Sequence, residues 1–126
     1  MALKFLIVDD SVTMRRIVAN SLKTIGHEVF AEACDGREAL QKLSIDDSIN
    51  FVITDWNMPD ISGLELVKSI RANQKFGKIP ILMVTTRGLK EDILEALQAK
   101  VNNYIVKPFT PQILREKIEQ IVASAG

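Results

Sequence analysis

The chain has 126 residues, 47% of them hydrophobic, a size and apolar content that suit one compact domain with its own core and leave no room for a second. Sixteen Lys and Arg balance sixteen Asp and Glu, so there is no charge excess with which to grip DNA or an anionic membrane. One cysteine, Cys34, and one histidine, His27, exclude an intrachain disulfide framework and a His/Cys zinc cluster.

The first apolar run, ending at Val8, is too short for a signal peptide core or a membrane span, and predicts a strand over 3–8. A cytoplasmic monomer is expected. The next segment has helical period: Met14, Ile17, Val18, Ser21, Leu22 and Ile25 share one face, and Gly26 supplies a stop. A strand over 28–31 is the least apolar of the set and is expected at a sheet edge. After the Asp35-Gly36 turn come a helix at about 37–44 and a strand over 51–54. Turn residues from Pro59-Asp60 to Ser62-Gly63 precede a helix at about 63–74, with Leu64, Val67 and Ile70 inward. Phe76-Gly77 leads to a strand over 79–85 and a helix at about 89–100, and Asn102-Asn103 to a strand over 104–106. Thr110 is placed to cap a last helix, 111–123, with Pro111 at its first position and Leu114, Ile118, Ile121 and Val122 inward.

Five short apolar runs alternating with helical stretches predict an α/β fold, a parallel sheet covered by helices on both faces. Ligands of such sheets bind beyond the carboxyl ends of the strands. The residues just past each strand are therefore informative. Asp9 and Asp10 come after the first, Asp55 after the third, Thr85 and Thr86 close the fourth, and Lys107 comes after the fifth. Three acids, a hydroxyl and an amine thus gather on one edge, where local helix or strand formation does not require them.

Crowded carboxylates repel unless a proton or cation offsets them, and an all-oxygen cluster suits a hard ion such as Mg²⁺. An ion held by two carboxylates keeps a position for a phosphoryl oxygen, leaving one carboxylate as nucleophile. Lys107 and the Thr85 hydroxyl would supply charge and a donor to the phosphoryl oxygens. Taken singly, each residue also has a structural reading: Asp9, Asp10 or Ser11 as a helix cap, Asp55 as a turn acid, Thr85 as a β-branched strand residue, Lys107 as a solvated charge. The joint placement favours the site.

Six segments carry a family resemblance over essentially the whole chain: Phe5 to Asp10, Thr13 to Arg16, Thr54 to Pro59, Gly63 to Glu65, Met83 to Thr85, and Tyr104 to Phe109. The chain resembles the receiver domain of bacterial two-component response regulators, and most closely the stand-alone chemotaxis members. The resemblance implies a doubly wound, flavodoxin-like sheet in the order 2-1-3-4-5 with five helices. It implies Asp55 as phosphoacceptor, and Asp10, Asp9, Asp55 and the Asn57 backbone carbonyl as the Mg²⁺ site. Lys107 would pair with the phosphoryl group, Thr85 would move toward it, and Tyr104 would rotate inward, altering an output face that includes Lys90 and Ile93. It also implies a cis Lys107-Pro108 bond.

The implied function is that of a signalling phosphoacceptor rather than an enzyme on other substrates. It would take phosphate from a histidine kinase and bind the flagellar motor switch or another target, with a phosphatase as a further partner. Trp56-Asn57, Thr13 to Arg16 and Tyr104 favour chemotaxis over a phosphorelay shuttle or phosphate sink. A Mg²⁺ phosphohydrolase with an aspartyl-phosphate intermediate is the alternative of another class. A flavin or nucleotide carrier is disfavoured, because Asp9-Asp10 fills the loop where a phosphate needs backbone donors. Three positions depart from the family pattern: Arg87, two after Thr85, where the best-known chemotaxis members carry an acid; Lys100, where glycine is common; and Ser11, where a larger residue is common. Arg87, together with Asn57, is expected to tune dephosphorylation, and a solvated arginine at a helix start is the competing reading.

Overall fold

A computed structural model describes residues 2–125. Five strands and five helices alternate: β1 (Phe5–Val8), α1 (Val12–Thr24), β2 (Phe30–Ala33), α2 (Gly36–Ile45), β3 (Phe51–Thr54), α3 (Gly63–Ala72), β4 (Ile81–Thr85), α4 (Lys90–Gln98), β5 (Asn103–Val106) and α5 (Pro111–Ala125). All neighbouring strands are parallel and the sheet order is 2-1-3-4-5, the flavodoxin-like arrangement that the family resemblance implies.

Alternation along each central strand divides the interior in two, because successive side chains of a strand point to opposite faces. Phe5, Ile7, Phe51, Ile53, Leu82, Val84 and Ile105 pack beneath α1 and α5, against Val18, Leu22, Leu114, Ile118 and Ile121. Leu6, Val8, Val52, Ile81, Met83 and Tyr104 face α2, α3 and α4, against Leu43, Leu66, Val67, Ile70 and Ala96. Chain order reverses between β1 and β3, and the two loops after them open at the same end of the sheet.

Most boundaries fall within two residues of expectation, and the differences have local causes. The second strand runs two residues later than 28–31. As an edge strand it is placed by one neighbour, through the pairs Phe5↔Phe30 and Val8↔Ala33, and its own apolar pattern is weak. The fourth starts at Ile81 because Pro80 has no N–H to give to a ladder. Two residues expected on buried faces are exposed, Ile17 (43%) and Val122 (44%). They lie at the margins of α1 and α5, and inward cover comes instead from Val18, Ala19 and Leu22 and from Leu114, Ile118 and Ile121.

Gly26 ends α1 at φ +97, where the His27 N–H reaches Leu22 O (2.8 Å) and the Gly26 N–H reaches Lys23 O (3.1 Å). Lys100 adopts φ +79 after α4, the left-handed geometry that makes glycine common there. Thr110 Oγ1 accepts from the Ile113 N–H (3.2 Å), and Pro111 opens α5 as expected. The Lys107-Pro108 bond is cis.

Candidate functional site at the carboxyl edge of the sheet

The register of the central strands brings the sequence-predicted acids together. Val8 pairs with Thr54, so Asp9 and Asp55 leave adjacent strands at the same height, and the Asp55 N–H donates to Val8 O (3.0 Å). Thr54↔Met83 places Thr85 at the neighbouring strand end, and Thr85↔Val106 places Lys107 just beyond β5. The Lys107 N–H donates to Thr85 O (2.8 Å). Lys107 Nζ then lies 3.2 Å from Asp55 Oδ2 and 3.3 Å from Asp9 Oδ2. All three side chains are largely shielded, at 10, 12 and 7% exposure for Lys107, Asp55 and Asp9.

Several local bonds fix the two acids. The Trp56 N–H donates to Asp55 Oδ1 (2.6 Å), and the Thr54 hydroxyl donates to Asp55 O (2.9 Å). Gly63 packs against the same carbonyl so tightly that a Cβ there would stand 1.8 Å from Asp55 O. Asp9 Oδ1 accepts from the Ser11 N–H (2.9 Å). Burial raises the Asp9 carboxyl pKa above its ordinary value, and the Asp55 charge pushes the same way, while the Ser11 N–H and Lys107 oppose the rise.

The capping role open to Asp9, Asp10 and Ser11 falls to Ser11, whose hydroxyl accepts from the Met14 N–H (3.2 Å). Asp10 is exposed and lines an open cleft with Trp56, Asn57, Met58 and Arg87. Among the described residues, no group of three or more acidic, His or Cys side chains is gathered as an ion cage. Instead, Lys107 is the counter-ion shared by Asp9 and Asp55. Arg15 was not singled out from the sequence as a site residue. Its guanidinium donates to Asp9 O (2.6 Å) and pairs with Glu32 (2.9 Å), tying the end of β1 to α1 and β2. Its position six residues after Asp9, one turn into α1, was the available signal.

Thr85 is fully buried, and its hydroxyl oxygen lies 3.4 Å from the Arg87 N–H. Tyr104 points inward with 8% exposure, and its hydroxyl donates to Arg87 O (2.8 Å). Burial, with the Asp92 and Asp55 charges adding to it and the Arg87 charge opposing, pushes the Tyr104 phenol up to about 12. The Arg87 side chain lies over the Trp56 ring, 4.6 Å from its centre, and Nε donates to Asn57 Oδ1 (3.0 Å). Arg87 thus contacts Trp56 and Asn57 with a side chain that remains 40% exposed. Lys90 is exposed, whereas Ile93 is half-buried and packs toward the core. Around them α4 and β5 expose Leu94 (49%), Leu97 (45%) and Val106 (41%).

A parallel 2-1-3-4-5 sheet with acids after β1 and β3, a threonine closing β4 and a lysine after β5 defines a class, and the comparisons agree. Residues 5–119 match the response regulator receiver domain, and the chain belongs to that family. It is 52% identical over 124 residues to a chemotaxis protein CheY homolog of Campylobacter jejuni, covering 98% of this chain and 95% of that protein. The chemotaxis protein CheY1 of Helicobacter pylori is 52% identical over 122 residues, covering 97% and 98%. Among solved structures, chemotaxis response regulator CheY4 of Vibrio cholerae superposes with a TM-score of 0.86 at 35% identity, covering 96% of this chain and 99% of that one. No helix among the described residues is long and apolar enough to cross a membrane.

Proposed function

We propose that this chain is a single-domain chemotaxis regulator of the cytoplasm that is switched by phosphorylation of Asp55 by a histidine kinase. The observation that carries the reading is the Lys107 ammonium within 3.3 Å of both the Asp55 and Asp9 carboxylates. In the reaction an Asp55 carboxylate oxygen attacks the phosphorus of the donor, the bond to the donor breaks, and an acyl phosphate forms. No base is needed for a carboxylate nucleophile, which gives up no proton as the new bond forms. Lys107 then turns from the Asp9–Asp55 pair to the new phosphoryl oxygens, and Thr85 supplies a hydroxyl to them.

The donor set fits Mg²⁺. Asp9 and Asp55 leave adjacent strands at one sheet edge and Asp10 lines the cleft beside Asn57, whose carbonyl would join them, and a hard ion that keeps its own waters needs only one or two carboxylates. When bound it neutralises charge on the transferring oxygens. The added charge of the phosphoryl group acts on a two-state element, not a new fold. Thr85 and Tyr104 meet the same Arg87 backbone, which favours them as that element, and Lys90, Ile93 and Tyr104 belong to the output face offered to a motor switch or other target. A sink or shuttle receiver would share this chemistry without the output. A phosphohydrolase acting on exogenous substrates would require a further acid or base beside Asp55.

Incubation with acetyl phosphate and Mg²⁺, followed by mass spectrometry, tests the assignment. One phosphoryl group is expected on Asp55, lost on chelation and in Asp55→Asn. Unchanged labelling of Asp55→Asn refutes the assignment, and steady turnover of a phosphomonoester would favour the hydrolase.

A further inference from the structure

Arg87 stands where the acid edge, the buried tyrosine and α4 meet. Its main chain is held on both sides, by the Thr85 hydroxyl at its N–H (3.4 Å) and by the Tyr104 hydroxyl at its carbonyl (2.8 Å). Its side chain crosses the cleft that Asp10 lines, resting on Trp56 and bonded to Asn57. The far end of the guanidinium reaches the first turn of α4, where Nη1 lies 3.5 Å from Asp92 Oδ1. Trp56 is only 5% exposed, so the cation rests on a fixed platform. The ion pair with Asp92 is looser: it is long, and the Arg87 side chain is 40% exposed.

A phosphoryl group brings about −1.5 to −2 charges and three acceptor oxygens, whereas Asp92 brings one charge. A guanidinium also presents a planar fork of donors suited to phosphate. We propose that Arg87 is a positioning residue that exchanges partners, from Asp92 in the unmodified protein to the phosphoryl oxygens on Asp55 in the modified one. The exchange withdraws the side-chain tie on the first turn of α4, which transmits modification to that helix.

Competition for one cation requires that Asp92 weaken phosphoryl binding by the factor that phosphoryl binding weakens the Arg87–Asp92 pair. For a half-exposed ion pair that factor is at most about fivefold. Trp56, the one tryptophan of the chain, lies against Arg87 and reports the event by fluorescence.

The proposal rests on the receiver reading, and its test separates the two. Beryllofluoride, a phosphoryl mimic, is titrated in Mg²⁺ into the unsubstituted protein, Asp92→Asn, Arg87→Ala and the double variant. Asp92→Asn is expected to tighten binding two- to about fivefold when Arg87 is present, and to change nothing in the Arg87→Ala background. Hydrogen exchange over residues 90–93 should rise on beryllofluoride binding in the unsubstituted protein and be already raised in Asp92→Asn. An equal shift in both backgrounds, no shift, or weaker binding in Asp92→Asn overturns the exchange while leaving the receiver reading intact. Failure of the unsubstituted protein to bind, or binding unaltered by Asp55→Asn, overturns the receiver reading and the exchange with it.

Discussion

Lys107 Nζ lies 3.2 Å from Asp55 Oδ2, and the same ammonium serves Asp9 at 3.3 Å. Two shielded carboxylates thus depend on one cation. Replacing Lys107 with Ala leaves both without it, and a loss of about 2 kcal/mol of unfolding free energy is expected, below the ~3–5 kcal/mol for breaking a fully buried charge pair because the Ser11 and Trp56 N–H groups still serve the two acids. Mg²⁺ should narrow that deficit, because an ion at the same acids offsets their repulsion. Urea unfolding with and without Mg²⁺ measures both effects. An unchanged midpoint in Lys107→Ala would show that the ammonium contributes nothing net.

Gly63 and Asp55 are in direct backbone contact. A Cβ on Gly63 would meet Asp55 O at 1.8 Å and Trp56 Cα at 2.8 Å, and neither atom can swing aside as a side chain would. Gly63→Ala should therefore cost about 3 kcal/mol, at the upper end for overpacking. It should also lower phosphoryl incorporation in the fraction that remains folded, since the loop carrying Asp55 has to shift. Denaturation and labelling of the same preparation test the pair of effects.

Arg71 secures the opposite end of β4. Its guanidinium donates to Gly77 O (3.0 Å), Ile79 O (2.6 Å), Lys100 O (3.0 Å) and Asn102 Oδ1 (3.0 Å), and burial pulls its pKa below the ordinary value. Arg71→Ala should lower stability by about 2 kcal/mol, the scale of lost bonds to a charged group. Arg71→Lys should recover little, because an ammonium cannot span four acceptors. Calorimetric melting of the three proteins decides.

Tyr104 is the one tyrosine of the chain, so its ionisation can be followed by absorbance alone. In the folded protein it should ionise near 12, and in denaturant near 10.0. The folded pKa is raised, so the neutral phenol contributes stability in full below pH 10.0, and that contribution is lost as pH rises through about 12. Ionisation near 10 in the folded protein would mean that the ring lies outside.

On the acid side, Lys4 at 2.6 Å and the Ser48 side chain and N–H hold Asp46 down at about 2, from 3.8. A depressed carboxyl contributes stability above 3.8 that is lost as pH falls toward 2. Asp46→Asn should flatten the stability profile across that interval and leave neutral-pH phosphorylation unaltered. A titration of melting temperature against pH tests it.

The sequence by itself determined the alternation of elements, the parallel sheet and the acids, threonine and lysine at the ends of its strands. These are legible because a strand buried on both faces must be a continuous apolar run, which makes each polar residue closing it conspicuous. Sequence also placed the Ser62-Gly63 turn, though not the contact that excludes a side chain at Gly63. Tertiary structure decided the rest. The register of β2 came from β1, because an edge strand is pinned by one neighbour, and the exposure of Ile17 and Val122 came from where α1 and α5 meet the sheet. Most of all, it decided partners. That Lys107 bridges Asp9 and Asp55, that Tyr104 bonds the Arg87 carbonyl, and that Arg87 rests on Trp56 within reach of Asp92 are contacts between distant segments. Local propensity carries no record of them, because only strand register and helix packing set which side chains come within a few ångströms.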